Sequence, residues 1–173
     1  MFLETQRLTI KPSTLEDLDD LYAIQSDPDV MQYIGQGVRT RSEVSEWLAK
    51  AIAHHQKHGF SFCSVFEKES KQLIGQAGLQ YLSYDEQQPD IEIGYRLKKQ
   101  SWGKGYATEL TKALIDWGFS NLPIDKLVAV INPANEKSRK VLEKAGMICV
   151  GEIEYFNHLV PKFEIYKNDA KRC

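Results

Sequence analysis

Hydrophobic and polar positions change rhythm three times along the chain. Over residues 3–11, Leu8 and Ile10 fall at period two with Arg7, Thr9 and Lys11 between them, which predicts a strand with one solvated face. The spacing then lengthens. Ser13-Thr14-Leu15-Glu16 reads as a capping box, and Leu15, Leu18 and Leu21/Tyr22 form a helical stripe that runs to Ile24. Asp27-Pro28 interrupts it, a short helix follows over residues 29–34, and Gly35-Gln36-Gly37 closes that segment. A second capping box, Thr40-Arg41-Ser42-Glu43, opens a helix with Val44, Trp47, Leu48, Ala51 and Ile52 on one stripe, and Gly59 stops it.

Strand texture returns at residues 60–67 and 72–82, which the polar Lys68-Glu69-Ser70-Lys71 joins as a hairpin. Residues 91–97 make the next strand. A glycine-bearing loop then leads to a helix over residues 108–119, where Ala107, Leu110, Leu114 and Trp117 would pack on a sheet. Residues 126–131 read as a strand and 135–144 as a helix stopped by Gly146. Residues 150–156 and 162–167 read as a closing hairpin. This order predicts one α/β domain over residues 1–173, a mixed sheet with helices on both faces. Strands 91–97 and 126–131 should be parallel, because a helical crossover joins them, and a crevice at their C-terminal ends would take a ligand.

Composition narrows the class. The 173 residues carry a formal charge of −2, which gives no electrostatic reason to expect nucleic acid as a partner. Cys63, Cys149 and Cys173 are an odd number without metal-ligand spacing, so free thiols in a reducing compartment and no metal are expected. No apolar run approaches the roughly 20 residues of a membrane span, and the N-terminus lacks a signal-peptide core, so a cytoplasmic protein without a membrane partner is the expectation.

The chemistry centres on Gln100-Ser101-Trp102-Gly103-Lys104-Gly105-Tyr106-Ala107, between strand 91–97 and its following helix. First-turn N–H groups have no intrahelical partner, and the helix dipole adds about half a positive charge there. A glycine-lined entry into a helix is therefore an anion socket, read first as a pyrophosphate cradle. A dinucleotide fingerprint would need a third small residue where Thr108 stands, and it would come in the first βαβ unit. No P-loop pattern occurs.

Gln100-x-x-Gly103-x-Gly105-x-Ala107 resembles the acetyl-CoA pyrophosphate loop of the GCN5-related N-acetyltransferases. The extension from Trp102 to Glu109 is similar to the branch that acetylates ribosomal-protein N-termini, the RimJ/RimL type. So are Leu3-Glu4-Thr5-x-Arg7-Leu8 at the start, and Asn135-x-x-Ser138 followed by Lys144-Ala145-Gly146 downstream. The resemblance implies a mostly antiparallel seven-stranded sheet with two splayed parallel central strands. It also implies direct transfer of acetyl from acetyl-CoA to a primary amine, either a protein N-terminus or a small molecule. A catalytically inactive acyl-CoA-binding module is the alternative.

In that scheme Gln100, Trp102, Gly103, Lys104, Gly105, Tyr106 and Ala107 hold the pyrophosphate, with Lys104 as a screening charge. Backbone groups of Tyr95 and Leu97 pair with pantetheine, and Gly94 suits a bulge or a close backbone approach. Glu92 is the candidate general base. Asn135 and Ser138 stand one helical turn apart, and both can touch cofactor or leaving sulfur; capping is the plainer role of Asn135. Many family members place a thiolate-protonating tyrosine where this chain has Leu142. Ser138, a water or another tyrosine supplies the proton, or no specific acid is needed. His54 and His58 have metal-ligand spacing without a third ligand, so cations at a helix end are expected there. Acidic residues Glu16, Asp17, Asp19, Asp20, Asp27 and Asp29 read as a solvated face, with attraction of a cationic acceptor as the alternative. Monomer and homodimer both remain open.

Overall fold

The computed structural model describes residues 2–170. Eight strands form one sheet: β1 (Leu3–Glu4), β2 (Leu8–Lys11), β3 (Phe62–Glu67), β4 (Leu73–Tyr81), β5 (Ile91–Leu97), β6 (Lys126–Val130), β7 (Ile148–Tyr155) and β8 (His158–Tyr166). Their spatial order is β1-β2-β3-β4-β5-β6-β8-β7. All neighbours are antiparallel except β5 and β6, which are parallel as the crossover requires. The helices are α1 (Leu18–Gln25), α2 (Pro28–Met31), α3 (Arg41–His58), α4 (Tyr106–Asn121), α5 (Glu136–Lys144) and α6 (Lys167–Ala170).

The strand count corrects the expected seven. Residues 3–11 are not one strand but a tight hairpin, with Leu3 opposite Ile10 and Glu4 opposite Thr9. Thr5 makes the turn: its N–H donates to the Leu8 carbonyl (2.9 Å) and its hydroxyl accepts from the Leu8 N–H (3.0 Å). A two-residue strand carries no readable periodicity, so only its longer partner shows in the sequence. The first capping box is also displaced by one residue. Thr14 caps, and its N–H donates to Asp17 (2.9 Å), while Ser13 is buried against Ser64 (2.8 Å). The box at Thr40 and Glu43 forms as read. Of the cysteines, Cys63 and Cys149 are free thiols; Cys173 lies outside the described residues.

Each sheet face carries its own apolar cluster. Leu110, Leu114 and Leu142 of α4 and α5 pack on Leu79, Ile93, Leu127 and Phe163. Leu21, Ile24, Val30, Val44 and Leu48 of α1 to α3 pack with Trp47 and Phe62 on the other side. Along β5 the alternation sends Ile91, Ile93 and Leu97 into the first cluster. Glu92, Gly94 and Arg96 therefore face the α1–α3 layer.

Two features of β5 position the site. Its parallel ladder with β6 is reduced to one pair, Glu92 opposite Val128, so from Ile93 to Leu97 it is paired only with β4. The two strands part there. Gly94 sits in regular register opposite Gly78, without the bulge allowed for in the sequence. Its missing side chain makes room for the Phe62 ring, whose Cζ would stand 2.3 Å from an added Cβ. Gly94→Ala should destabilise the fold by about 1–3 kcal/mol through this overlap. In thermal unfolding that is a drop of roughly 3–10 °C, partly restored by Phe62→Leu in the same chain; an unchanged midpoint would show that the ring yields freely.

Candidate active site

The loop between β5 and α4 is a single 3₁₀ turn, Lys99–Ser101, followed by Trp102 to Gly105. Gly103 and Gly105 have φ of +74° and +81°, a region that costs an L-residue roughly 1–2 kcal/mol. A Cβ on Gly103 would meet nothing within 4 Å, so backbone is exposed on that side. The N–H groups of Tyr106, Ala107 and Thr108 precede the first intrahelical bond, from Glu109 N–H to Gly105 carbonyl (3.1 Å). They are free to bind an anion.

The opening hairpin braces this socket. Arg7 Nε donates to Glu109 (2.8 Å), its Nη1 donates to the Lys104 carbonyl (2.8 Å), and its guanidinium lies 4.5 Å from the Tyr106 ring centre. The Thr5 hydroxyl donates to the same Glu109 (2.5 Å). Tyr106 donates to Glu67 (2.6 Å), and Lys104 Nζ stands 3.8 Å from that carboxylate. Lys104 is thus already half offset, which weakens its expected screening role. Gln100 is exposed on the 3₁₀ turn and Ala107 is half-buried on α4. The Trp102 indole N–H donates to the Leu97 carbonyl (2.9 Å), and Lys137 Nζ lies 5.0 Å from its ring centre. That pins the loop between β5 and α5. Leu97 itself is core.

At the start of α5, Asn135 is the N-cap, its Oδ1 accepting from the Ser138 N–H (3.1 Å). The Tyr95 hydroxyl, carried by the splayed part of β5, donates to Ser138 Oγ (3.2 Å). Burial raises the Tyr95 pKa, so the hydroxyl keeps its proton. Leu142 is buried in apolar surroundings and supplies no acid.

Glu92 stands where β5 and β6 part. Its carboxylate accepts from Gln80 Nε2 (3.3 Å) and the Tyr155 hydroxyl (3.2 Å). It is 7% exposed, and burial lifts its pKa to about 7 against the lowering effect of those two donors. A carboxylate in this condition is divided between its two forms near neutrality, which suits proton transfer.

Sequence reasoning missed Gln80 and Tyr155. Tyr155 comes from the tip of the β7–β8 hairpin, 63 residues away, and has no local signature. Thr5, Arg7 and Glu109 were visible only as parts of motifs, without a role. The paired histidines are engaged individually: His54 Nδ1 is 2.7 Å from the Phe60 carbonyl oxygen, and His58 pairs with Glu86 at 3.0 Å. Among the described residues, no group of three His, Cys, Asp or Glu side chains is placed to hold a metal. No helix of the described residues is long and apolar enough to cross a membrane.

Comparison with known proteins agrees with this architecture. An N-acetyltransferase of Bacillus licheniformis, p20, is 33% identical over 155 residues, covering 84% of each chain. The crystal structure of a Bacillus anthracis acetyltransferase of the GNAT family superposes with a TM-score of 0.82 at 26% identity, covering 97% of this chain and 99% of that one. The spermidine N-acetyltransferase of Vibrio cholerae, solved with CoA and spermine, has a TM-score of 0.78 at 21% identity, covering 96% and 99%. The family described as Acetyltransferase (GNAT) domain matches residues 7–148. With its parallel pair parted beside a glycine-entered helix, this chain belongs to the GNAT acetyltransferases.

Proposed function

We propose that the protein transfers acetyl from acetyl-CoA directly to a primary amine, with both substrates bound together. The observation that carries this reading is the position of Glu92, a buried carboxylate hydrogen-bonded to Gln80 and Tyr155 at the point where β5 leaves β6, with a pKa that burial raises. The free amides of Tyr106 to Thr108 take the pyrophosphate, whereas the Trp102 N–H is already given to the Lys99 carbonyl (3.1 Å). The edge of β5 at Tyr95 and at the Leu97 N–H, the Leu97 carbonyl being held by Trp102, offers backbone groups to pantetheine in place of the ladder that β6 abandons. Glu92 accepts the ammonium proton, directly or through a water. The amine nitrogen then bonds the thioester carbon, the tetrahedral intermediate releases its second N–H proton to solvent, the carbon–sulfur bond breaks, and the sulfur leaves as a thiolate.

The Tyr95–Ser138 pair answers the absence of a tyrosine at Leu142. Ser138 gives its hydroxyl proton to the thiolate and is resupplied by Tyr95 along the 3.2 Å hydrogen bond, with Tyr95 regaining its proton from solvent. Ser138→Ala should lower kcat about tenfold, less than the roughly 10²–10⁴-fold of a full proton-transfer role because a thiolate with a pKa of about 8.5 leaves tolerably by itself, and leave KM for acetyl-CoA nearly unchanged. The function itself is tested by free-thiol release from acetyl-CoA against a panel of amines. A chain that binds CoA calorimetrically yet releases no thiol with any amine would be a binding module. The likeness to the ribosomal N-terminal branch favours an α-amine as acceptor, over a chemically unrelated amine.

A further inference from the structure

Four strand positions from Glu92, on the same face of β5, Arg96 is 8% exposed, and its guanidinium Nη1 has no hydrogen-bond partner. No carboxylate lies within ion-pair distance of it among the described residues. Its head group instead meets ring faces, with Trp47 centred 5.4 Å away and Phe62 5.8 Å away. Directly opposite on β4 is Gln76, 0% exposed, whose Nε2 is likewise without a partner.

The identity of that second orphan is fixed by a relay. Arg39 Nη1 can only donate, so the Gln25 atom 2.9 Å away must be its oxygen. The other end of Gln25 is then the amide nitrogen, donating to the oxygen of Gln76 (2.9 Å). What Gln76 turns toward its unpaired side is therefore an N–H₂. Two buried donors come from paired positions on neighbouring strands, and among the described residues no group accepts from either nitrogen. Enclosed unpaired donors are costly to keep, the charged one most of all.

We infer that Arg96 and Gln76 receive a carboxylate carried by the acceptor, so that the amine acetylated beside Glu92 belongs to an amino acid or a short peptide. This rests on the acetyl-transfer reading above and names the substrate class of the same site. A guanidinium and a carboxylate match in geometry, and a negative charge there would offset Arg96 and the neighbouring Arg39, which repels it. The Cα atoms of residues 92 and 96 lie about 13 Å apart along a strand. The two side chains can thus serve opposite ends of a ligand of amino-acid to dipeptide length. A polycationic acceptor fits poorly. Besides Arg96, three of the six acidic residues near the first helices are already ion-paired: Asp19 with Arg41, Asp20 with Lys98 (2.8 Å), and Asp29 with Lys99.

The test uses matched pairs, an amino acid against its amide and a dipeptide against its amide, so that the two lengths are separate arms. Affinity is measured calorimetrically on CoA-loaded protein, and turnover by thiol release. At least one carboxylate should bind tenfold or more tighter than its amide, and Arg96→Gln should bring that ratio to about one while CoA affinity persists. Equal binding within both wild-type pairs, or tighter binding of amides or spermine, overturns the inference, and this comparison needs no variant. A persistent preference in Arg96→Gln overturns the assignment to Arg96. Carboxylate-selective binding that Arg96→Gln abolishes, without thiol release with any amine, would sink the acetyl-transfer reading and leave only the carboxylate site at Arg96 and Gln76.

Discussion

Glu92→Gln should lower kcat/KM by about 10²–10³-fold, the usual yield of a positioned general base. It should also remove the inflection near pH 7 from the pH profile. The base works ionised, and burial places its pKa at about 7. Wild-type kcat/KM therefore rises as pH passes through 7, and only the acceptor amine's own ionisation remains at higher pH. In the variant that second limb alone survives. Stability should move the other way. The folded pKa lies above the ordinary carboxylate value, so the folded state holds the proton more tightly than the unfolded chain. That stabilisation is complete below about pH 4 and is lost as pH rises through 7. Above pH 7 the wild type keeps an ionised carboxylate in a buried place, whereas glutamine keeps the shape and can accept from both Gln80 and Tyr155. The variant should thus melt higher than wild type at pH 8 and nearly together with it at pH 5. A variant with a wild-type pH profile would remove Glu92 from proton transfer; one that melts lower at pH 8 would contradict its burial cost.

How much of this was legible in the sequence depends on the range over which each feature is encoded. Strand β5 and the helix after it were readable because alternation and helical stripes repeat over seven and sixteen residues. The socket was readable because glycines, a helix start and a preceding strand sit in one local run. The β1–β2 turn was not, since Thr5 closes it with two hydrogen bonds and no glycine or proline marks it. Nor was the β7–β8 turn, where Phe156 and Asn157 both take positive φ without glycine. The partners of Glu92 come from β4 and from the tip of β7, and only the sheet order brings them together. Gly94 reads in the sequence as a bulge or a close backbone approach, but the register is regular and what fills the space is a phenyl ring from β3. Arg96 carried no signal at all, because the absence of partners exists only in three dimensions.

Gly103→Asp should weaken CoA binding by at least about 100-fold, with little change in the fold. The backbone at Gly103 is left-handed, and Asp is among the residues that tolerate this region best. Its Cβ enters open space, and its charge lies near a helix N-terminus, where carboxylates are welcome. If the loop were only a turn, those terms would nearly cancel and CoA affinity would be untouched. A pyrophosphate held by the N–H groups of Tyr106 to Thr108 would instead meet a like charge at close range. At an effective dielectric of about 20, two unit charges 4 Å apart repel by about 4 kcal/mol, so a 100-fold loss needs only part of that. Gly103→Asn separates charge from backbone strain, because it has the same shape and the same φ penalty. Calorimetric titration of CoA into both variants at low salt should show Asp far weaker than Asn, and Asn within a few fold of wild type. The gap should narrow as salt screens the repulsion. Equal losses in the two variants would assign the effect to the distorted loop and take the pyrophosphate away from this socket.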